Sequence, residues 1–524
     1  MMSSFPAAAR HRVRTTLLFV CAALVVLLPL RSSPVLLAQQ QPAAPAGDAS
    51  QKPTEKTPEK TPETLPPLPP DAHADQTMQL GGRTLKYTAT VGTIPVYSAD
   101  GTKKTGEVVC TSYVMDGADR PVTFALNGGP GAASVYLNFG AIGPKHLAFG
   151  DEGDSASNPV TLTDNPGTWL DFTDLVFIDP IGTGFSRSLE PADQTKKDFF
   201  ATENDIHYLS RVIFDWLVKN QRMRSRKYIT GESYGGYRVP RITHYLQTQL
   251  GIAMNGVVAV SPYLNPVLDE NPDVSPMAWV VTLPSIAAAN LERQHKLSAE
   301  SMAPVIAYAR GEYVSDLLKG RSDPQAAARL VQKVAELTGL DQTFVRRSGG
   351  RIEIGAYLRE VFREHGKIGS VYDSNVTSFD PFPYAPAQRS ADPLLESIVA
   401  PTTTAMVDFV TRVVGWKASG AYHALSYEVN GQWDFDSAAL RRGAVADLRE
   451  AVAADPKLRV LIVHGWNDLS CPFMGSVLSV DQMPPMGDPS RVAVREYPGG
   501  HMFYSRPESQ GALRKDVQEM FTKH

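Results

Sequence analysis

Short apolar runs that stop abruptly at glycine or proline recur along this chain. Pro121 to Leu126 reads PVTFAL and ends at a glycine cluster, and Asp174 to Ile178 reads DLVFI and ends at Asp179 and Pro180. Lys227 to Thr230 reads KYIT and runs into GESYGG; Gly256 to Val260 and Arg459 to Val463 complete the set. Runs of this kind, with helical stretches between them, predict a buried and predominantly parallel sheet. Asp205 to Asn220 is one such helix, because Ile206, Leu209, Ile213 and Leu217 recur at helical spacing on one face. Upstream, Leu85 to Ser98 alternates like a strand pair broken at Gly92, and Glu107 to Met115 reads as a further strand. Ordered structure is expected from about Met78.

The texture changes between residues 265 and 437. Helical patterns dominate there, Pro324 to Leu340 among them, and strand-like runs are few. The segment separates the strand ending near Val260 from the one at Arg459. It reads as a mostly helical cap insertion seated over the C-terminal edge of the sheet, where open α/β sheets bind ligands. Residues 78–264 and 438–524 would then form the α/β core.

The N-terminus carries a different pattern. Arg10, Arg12 and Arg14 precede an apolar run from Thr15 to Leu30, and Ala38 offers a small residue for cleavage. Residues 1–38 therefore read as a secretory signal, and an exported, periplasmic or secreted protein is expected. A membrane contact is expected only if that segment stays uncleaved. Residues 39–77 read as a disordered linker, because KPTEKTPEKTPETLPPLPP at 52–70 lacks aromatics and cannot bury enough apolar surface to offset ordering.

Composition narrows the picture by exclusion. With 43% apolar and 20% charged residues and a formal charge of −4, the chain lacks the basic excess of a nucleic-acid binder. After the leader only Cys110 and Cys471 remain, too few for a disulfide framework. No Cys or His cluster has zinc-ligand spacing along the sequence, so neither a metal nor any other cofactor is expected.

The strongest chemical signal is Gly231-Glu232-Ser233-Tyr234-Gly235, a G-x-S-x-G between a strand and a helix. That context is the nucleophile elbow of an α/β-hydrolase fold, in which a tight turn presents the serine hydroxyl at the sheet edge. Ser233 needs a base, and the base needs an orienting carboxylate, in the chain order Ser, acid, His. His501 follows the last strand-like run, RVAVREY, on the glycine-rich turn YPGGHM. Its competitor His464 ends the strand RVLIVHG, where a buried structural role fits better. Asp468, in GWND after that strand, stands where the orienting acid belongs. The Asn127-Gly128-Gly129-Pro130-Gly131 cluster follows PVTFAL, and its glycines let backbone N–H groups approach an oxyanion. The fold expects one donor from this loop and one from Tyr234, the residue after the nucleophile. Gly182-Thr183-Gly184-Phe185-Ser186 reads as a structural loop lining the site.

GESYGG, NGGPG, DPIGTGFS and the terminal GGHM together resemble the serine carboxypeptidase family, whose segments are GESYAG, WLNGGPG, D-Q-P-x-G-x-G-[FY]-S and G-H-M-V-P. Asn165 and Trp169 match a further N-x-x-S-W pattern, so the resemblance runs from about Tyr87 to His501. It implies an exported bacterial member with Ser233, Asp468 and His501 as catalytic triad, and Gly129 and Tyr234 as backbone oxyanion donors. It also implies that Asn127, Gly128 and Glu232 bind the free C-terminal carboxylate of a peptide. Two carboxyl groups held together favour sharing one proton, so a protonated Glu232 would donate to that carboxylate. The plain alternative is Glu232 as an acid at a helix N-terminus. Departures accompany the match: Ala125 replaces the family tryptophan, Ala132 replaces a cysteine, and Ala141 stands where a supporting glutamate occurs. GHMVP becomes His501-Met502-Phe503-Tyr504 at its end. Cys471 matches an unpaired family cysteine and would be a buried thiol without a catalytic role. The reading is a carboxypeptidase acting on peptides with a free C-terminus. An esterase or acyltransferase with the same triad is the alternative, and a catalytically dead binding module is a third reading.

Overall fold

A computed structural model describes residues 66–522, apart from 118, 149–156, 158–159, 269–271 and 436. The expected leader and most of the expected linker lie outside the described residues. One sheet organises the rest. Its main strands are β1 (Ala72–Leu80), β2 (Arg83–Tyr97), β3 (Lys104–Val114), β4 (Val122–Leu126), β5 (Asp174–Ile178), β6 (Lys227–Glu232), β7 (Gly256–Val260), β8 (Arg459–Gly465) and β9 (Val492–Tyr497). They lie in the order β1-β2-β3-β5-β4-β6-β7-β8-β9, and a two-residue strand, Arg187–Ser188, pairs with β3. The first three strands and β5 pair antiparallel, and every pair from β5 to β9 is parallel.

The inner parallel strands are apolar at their centres because both faces are covered. Phe124, Ile229, Val257 and Ile462 point into one core, and Ala125, Tyr228, Val258 and Leu461 into the other. On the first face lie α1 (Thr202–Lys219), α2 (Tyr234–Gln249) and α6 (Val445–Ala454); Leu209, Ile213, Ile242, Leu246 and Leu448 are fully buried there. The predicted apolar face of α1 is the one that packs. On the other face lies α7 (Pro507–Thr522), whose Phe521 stacks on Tyr228. Between β7 and β8 the chain is mostly helical, including α3 (Met277–Arg293), α4 (Pro324–Thr338) and α5 (Pro393–Asp408). Helices α3 and α4 share a separate core through Val280, Leu283, Ile286, Leu330 and Val334. Asp323 caps α4 by accepting from Gln325 and Ala326 N–H, and Gly339 ends it in a left-handed conformation. Among the described residues no helix is long and apolar enough to cross a membrane.

Two expectations are corrected. The first described strand begins at Ala72, so residues 72–77 of the expected linker are structured, with β1 pairing with β2 from Ala72↔Val91 to Leu80↔Arg83. Its exposed face is polar, so apolar alternation surfaces only at Met78 and Leu80, next to the Gly81–Gly82 hairpin turn. Likewise Leu85 to Ser98 contains no break. β2 is continuous, and Gly92 is small because the Asp71 carboxylate lies against it, within 2.7 Å of where a Cβ would be.

Candidate active site

The parallel strands deliver their C-terminal ends to one edge, and the residues singled out in the sequence gather there. Leu126 pairs with Gly231, Val260 with both Glu232 and Val463, and Gly465 with Tyr497. Asn127 and Ser233 directly follow β4 and β6, while Asp468 and His501 lie on the loops after β8 and β9.

Ser233 adopts φ 62° and ψ −123°, and α2 starts at the next residue. A side-chain-bearing residue in this region is strained, so the surroundings must impose it. Crowding explains the flanking glycines. A Cβ on Gly231 would come within 2.2 Å of Gly235 O, and one on Gly235 within 2.3 Å of Leu126 O. Tyr234 opens α2, so its N–H is among the helix donors without an intrahelical acceptor. Gly128 lies directly against it: a Cβ there would sit 2.5 Å from Tyr234 N. Gly129 follows with φ 98°. The glycine loop and the elbow thus bring two stretches of backbone together, as a two-donor oxyanion site requires.

His501 Nδ1 lies 2.7 Å from Asp468 Oδ2, and both side chains are buried. Asp468 Oδ1 accepts from the N–H groups of Ser470 and Cys471, which fixes the carboxylate. Burial alone would lower the His501 pKa; the Asp468 carboxylate and the neighbouring Cys471 together outweigh it, and the net direction is well upward. His464 has a different environment. It is fully buried, its Nε2 meets Ser476 Oγ at 2.8 Å, and burial pushes its pKa down to about 4.

Glu232 is the last residue of β6 and is 1% exposed. Oε2 accepts from Asn127 Nδ2 at 2.5 Å and from the Tyr504 hydroxyl at 2.8 Å. Oε1 lies 4.0 Å from His501 Nε2. These contacts, rather than the first N–H groups of α2, occupy the carboxyl. Burial raises its pKa against the opposing pull of His501, Tyr504 and Asn127. Asn127 is itself fixed, since its Oδ1 accepts from Leu137 N–H and its carbonyl from buried Arg238, which pairs with Asp205. Ala141 is buried, and its carbonyl is taken by the side chains of Asn165 and Gln510.

A strap from the inserted segment runs between the two loops. His501 N–H donates to Tyr372 O, and Leu469 N–H to Val371 O. Gly500 must be glycine, because a Cβ would fall 2.1 Å from Tyr372 O. Arg506 holds the strap through Asp373 and reaches Glu292 of α3, which also takes the Asn467 amide. Segment 423–426 braces the glycine loop in the same way: Ala133 N–H donates to Ala424 O, and Ser426 N–H to Gly131 O. None of Tyr372, Asp373, Glu292, Tyr504 and Arg506 stood out in the sequence. Their partners are remote, and the one hint was the departure at Phe503 and Tyr504.

Cys110 and Cys471 are both free and buried. The fold gathers Asp468, Cys471 and His501 so that one donor atom of each lies within 4.8 Å of the others. Linear spacing could not reveal it, because two loops supply the trio. Its carboxylate is already engaged by His501 and two backbone N–H groups.

The model of the serine carboxypeptidase family matches residues 111–501. Serine carboxypeptidase-like 36 of Arabidopsis thaliana is 29% identical over 157 residues, covering 29% of this chain and 30% of that relative. Serine carboxypeptidase-like 50 of the same plant is 34% identical over 130 residues, 24% of this chain and 27% of the relative. These matches thus span less than a third of the relatives' length. The crystal structure of Kex1(Δ)p, a prohormone-processing carboxypeptidase from Saccharomyces cerevisiae, covers 83% of this chain and 92% of its own. With a TM-score of 0.50 and 15% identity, it is a likeness of fold. The sheet is that of an α/β-hydrolase, and by one continuous match across just under three quarters of its length the chain belongs to the serine carboxypeptidase family.

Proposed function

We propose that the protein is a serine-type carboxypeptidase, releasing C-terminal amino acids from peptides through an acyl-enzyme on Ser233. The observation that carries this reading is Glu232: a buried carboxyl, one residue before the nucleophile, held beside the base rather than used to cap a helix. With its pKa raised, Glu232 is protonated above the usual carboxylate range and can donate to a peptide's terminal carboxylate, alongside Asn127 and Gly128.

The His501–Asp468 pairing supports the following chemistry. His501 Nδ1–H donates to Asp468, which leaves the Nε2 lone pair to take the Ser233 proton as Oγ bonds to the scissile carbonyl carbon. The oxyanion is met by the N–H groups of Gly129 and Tyr234. Collapse breaks the C–N bond, and Nε2–H gives its proton to the departing amino acid. Water, deprotonated by the same nitrogen, then releases the shortened peptide and restores Ser233.

The leader pattern at 1–38 supports export to a periplasmic or extracellular space in a bacterial cell, and peptides as substrates fit the family. Incubation of the protein with a free-acid peptide should release single amino acids in C-terminal order by mass spectrometry, with Ser233 labelled by a fluorophosphonate. Cleavage of esters alone would assign the protein to the esterase or acyltransferase reading. Unlabelled Ser233 and no product would leave only the binding module.

A further inference from the structure

We propose that Tyr504 is a positioning residue for terminal-carboxylate recognition: with Asn127 it saturates Glu232 Oε2 and so confines the acid proton to Oε1, the oxygen facing His501. This rests on the carboxypeptidase reading and names how that site holds its proton donor. The Tyr504 hydroxyl lies 2.8 Å from Oε2, its side chain is fully buried, and a 3₁₀ turn (Phe503–Ser505) places it just after His501. Asn127 Nδ2 meets the same oxygen, and the Leu137 N–H bond to Asn127 Oδ1 keeps that amide from flipping. An oxygen accepting two donors cannot carry a proton without losing one of them. Oε1 lies 4.0 Å from His501 Nε2 and is the oxygen that can. The groups facing Glu232 are His501 and Asp468 from the loops after β9 and β8, Tyr504 and Asn127, and Tyr136 from the Tyr136–Ile142 turn. Ala141 has no carboxyl to offer, so a phenol that stays neutral takes the supporting part. Tyr504 stands where the family motif has proline, so this arrangement belongs to the present chain.

The test is Tyr504→Phe, which removes one oxygen and keeps the ring, made in the wild-type and in the Glu232→Ala background. Steady-state kinetics would compare a free-acid peptide with its C-terminal amide. KM for the free acid should rise about tenfold, the scale of one hydrogen bond to a charged group, with the amide far less affected. The pH at which KM for the free acid begins to climb should move upward, because the ionised carboxyl loses a donor. In the Glu232→Ala background, where no head group is left to orient, the second substitution should add nothing. Equal losses on both peptides, or the same loss in both backgrounds, would overturn the role of Tyr504 while leaving the carboxypeptidase reading in place. A wild-type protein that does not prefer the free acid overturns that reading, and this one with it.

Discussion

The two halves of the proposed site are built in different ways. The acyl-transfer half, Ser233 with His501 and Asp468, sits on turns directly after strands, and each turn leaves a local mark. Gly231 and Gly235 are glycine because the elbow has no room for a Cβ, and Gly500 because Tyr372 O lies against it. The recognition half joins Asn127, Glu232 and Tyr504, and the Tyr504–Glu232 bond links residues 272 positions apart. Nothing local requires a tyrosine at 504. Backbone crowding writes itself into sequence, whereas side chains that converge across a fold do not.

Substitutions that separate the halves sharpen this contrast. Asp468→Asn should have the largest effect, lowering kcat by roughly 10⁴-fold on free acid, amide and ester alike, because the imidazole loses its orienting acceptor. Single-turnover kinetics on the three substrates would show it; a loss restricted to the free acid would place Asp468 in recognition instead. Glu232→Ala comes next. KM for a free-acid peptide should rise about 10- to 100-fold, the neutral ester changing within about threefold, since a charge-assisted hydrogen bond is removed from one substrate only. Equal effects on both would leave Glu232 a structural role.

The smallest effect on turnover is expected at Asp179, which lies under the glycine loop serving both halves. Its Oδ1 accepts from Ser134 N–H, Ser134 Oγ accepts from Asn127 N–H, and burial raises its pKa from 3.8 to about 7. The native state therefore holds this proton where the unfolded chain has lost it. Stability should be unpenalised below about pH 4, fall as pH rises, and reach its full cost above about pH 7, at most roughly 4 kcal/mol. Asp179→Asn keeps an acceptor for Ser134 and removes the titration, so the decline in Tm between those pH values should flatten. An unchanged slope would exclude Asp179 as its source.

How much was legible follows the same division. The alternating cores, the C-terminal edge and the serine turn came through as apolar runs ending in glycine, because a doubly covered parallel sheet demands them. Strand β1 stayed hidden because its outward positions are polar and only Met78 and Leu80 are buried. The strap at Tyr372 and Asp373 and its anchor Arg506–Glu292 stayed hidden because each partner comes from a distant segment.

The most direct test of the central claim is the ratio of kcat/KM for one peptide as free acid and as C-terminal amide, followed from about pH 4 to about pH 8. Both substrates share His501, so its titration cancels in the ratio and Glu232 remains. A ratio well above one at acid pH, falling as Glu232 ionises, is the predicted result. A ratio near one at every pH would contradict a site built around a terminal carboxylate.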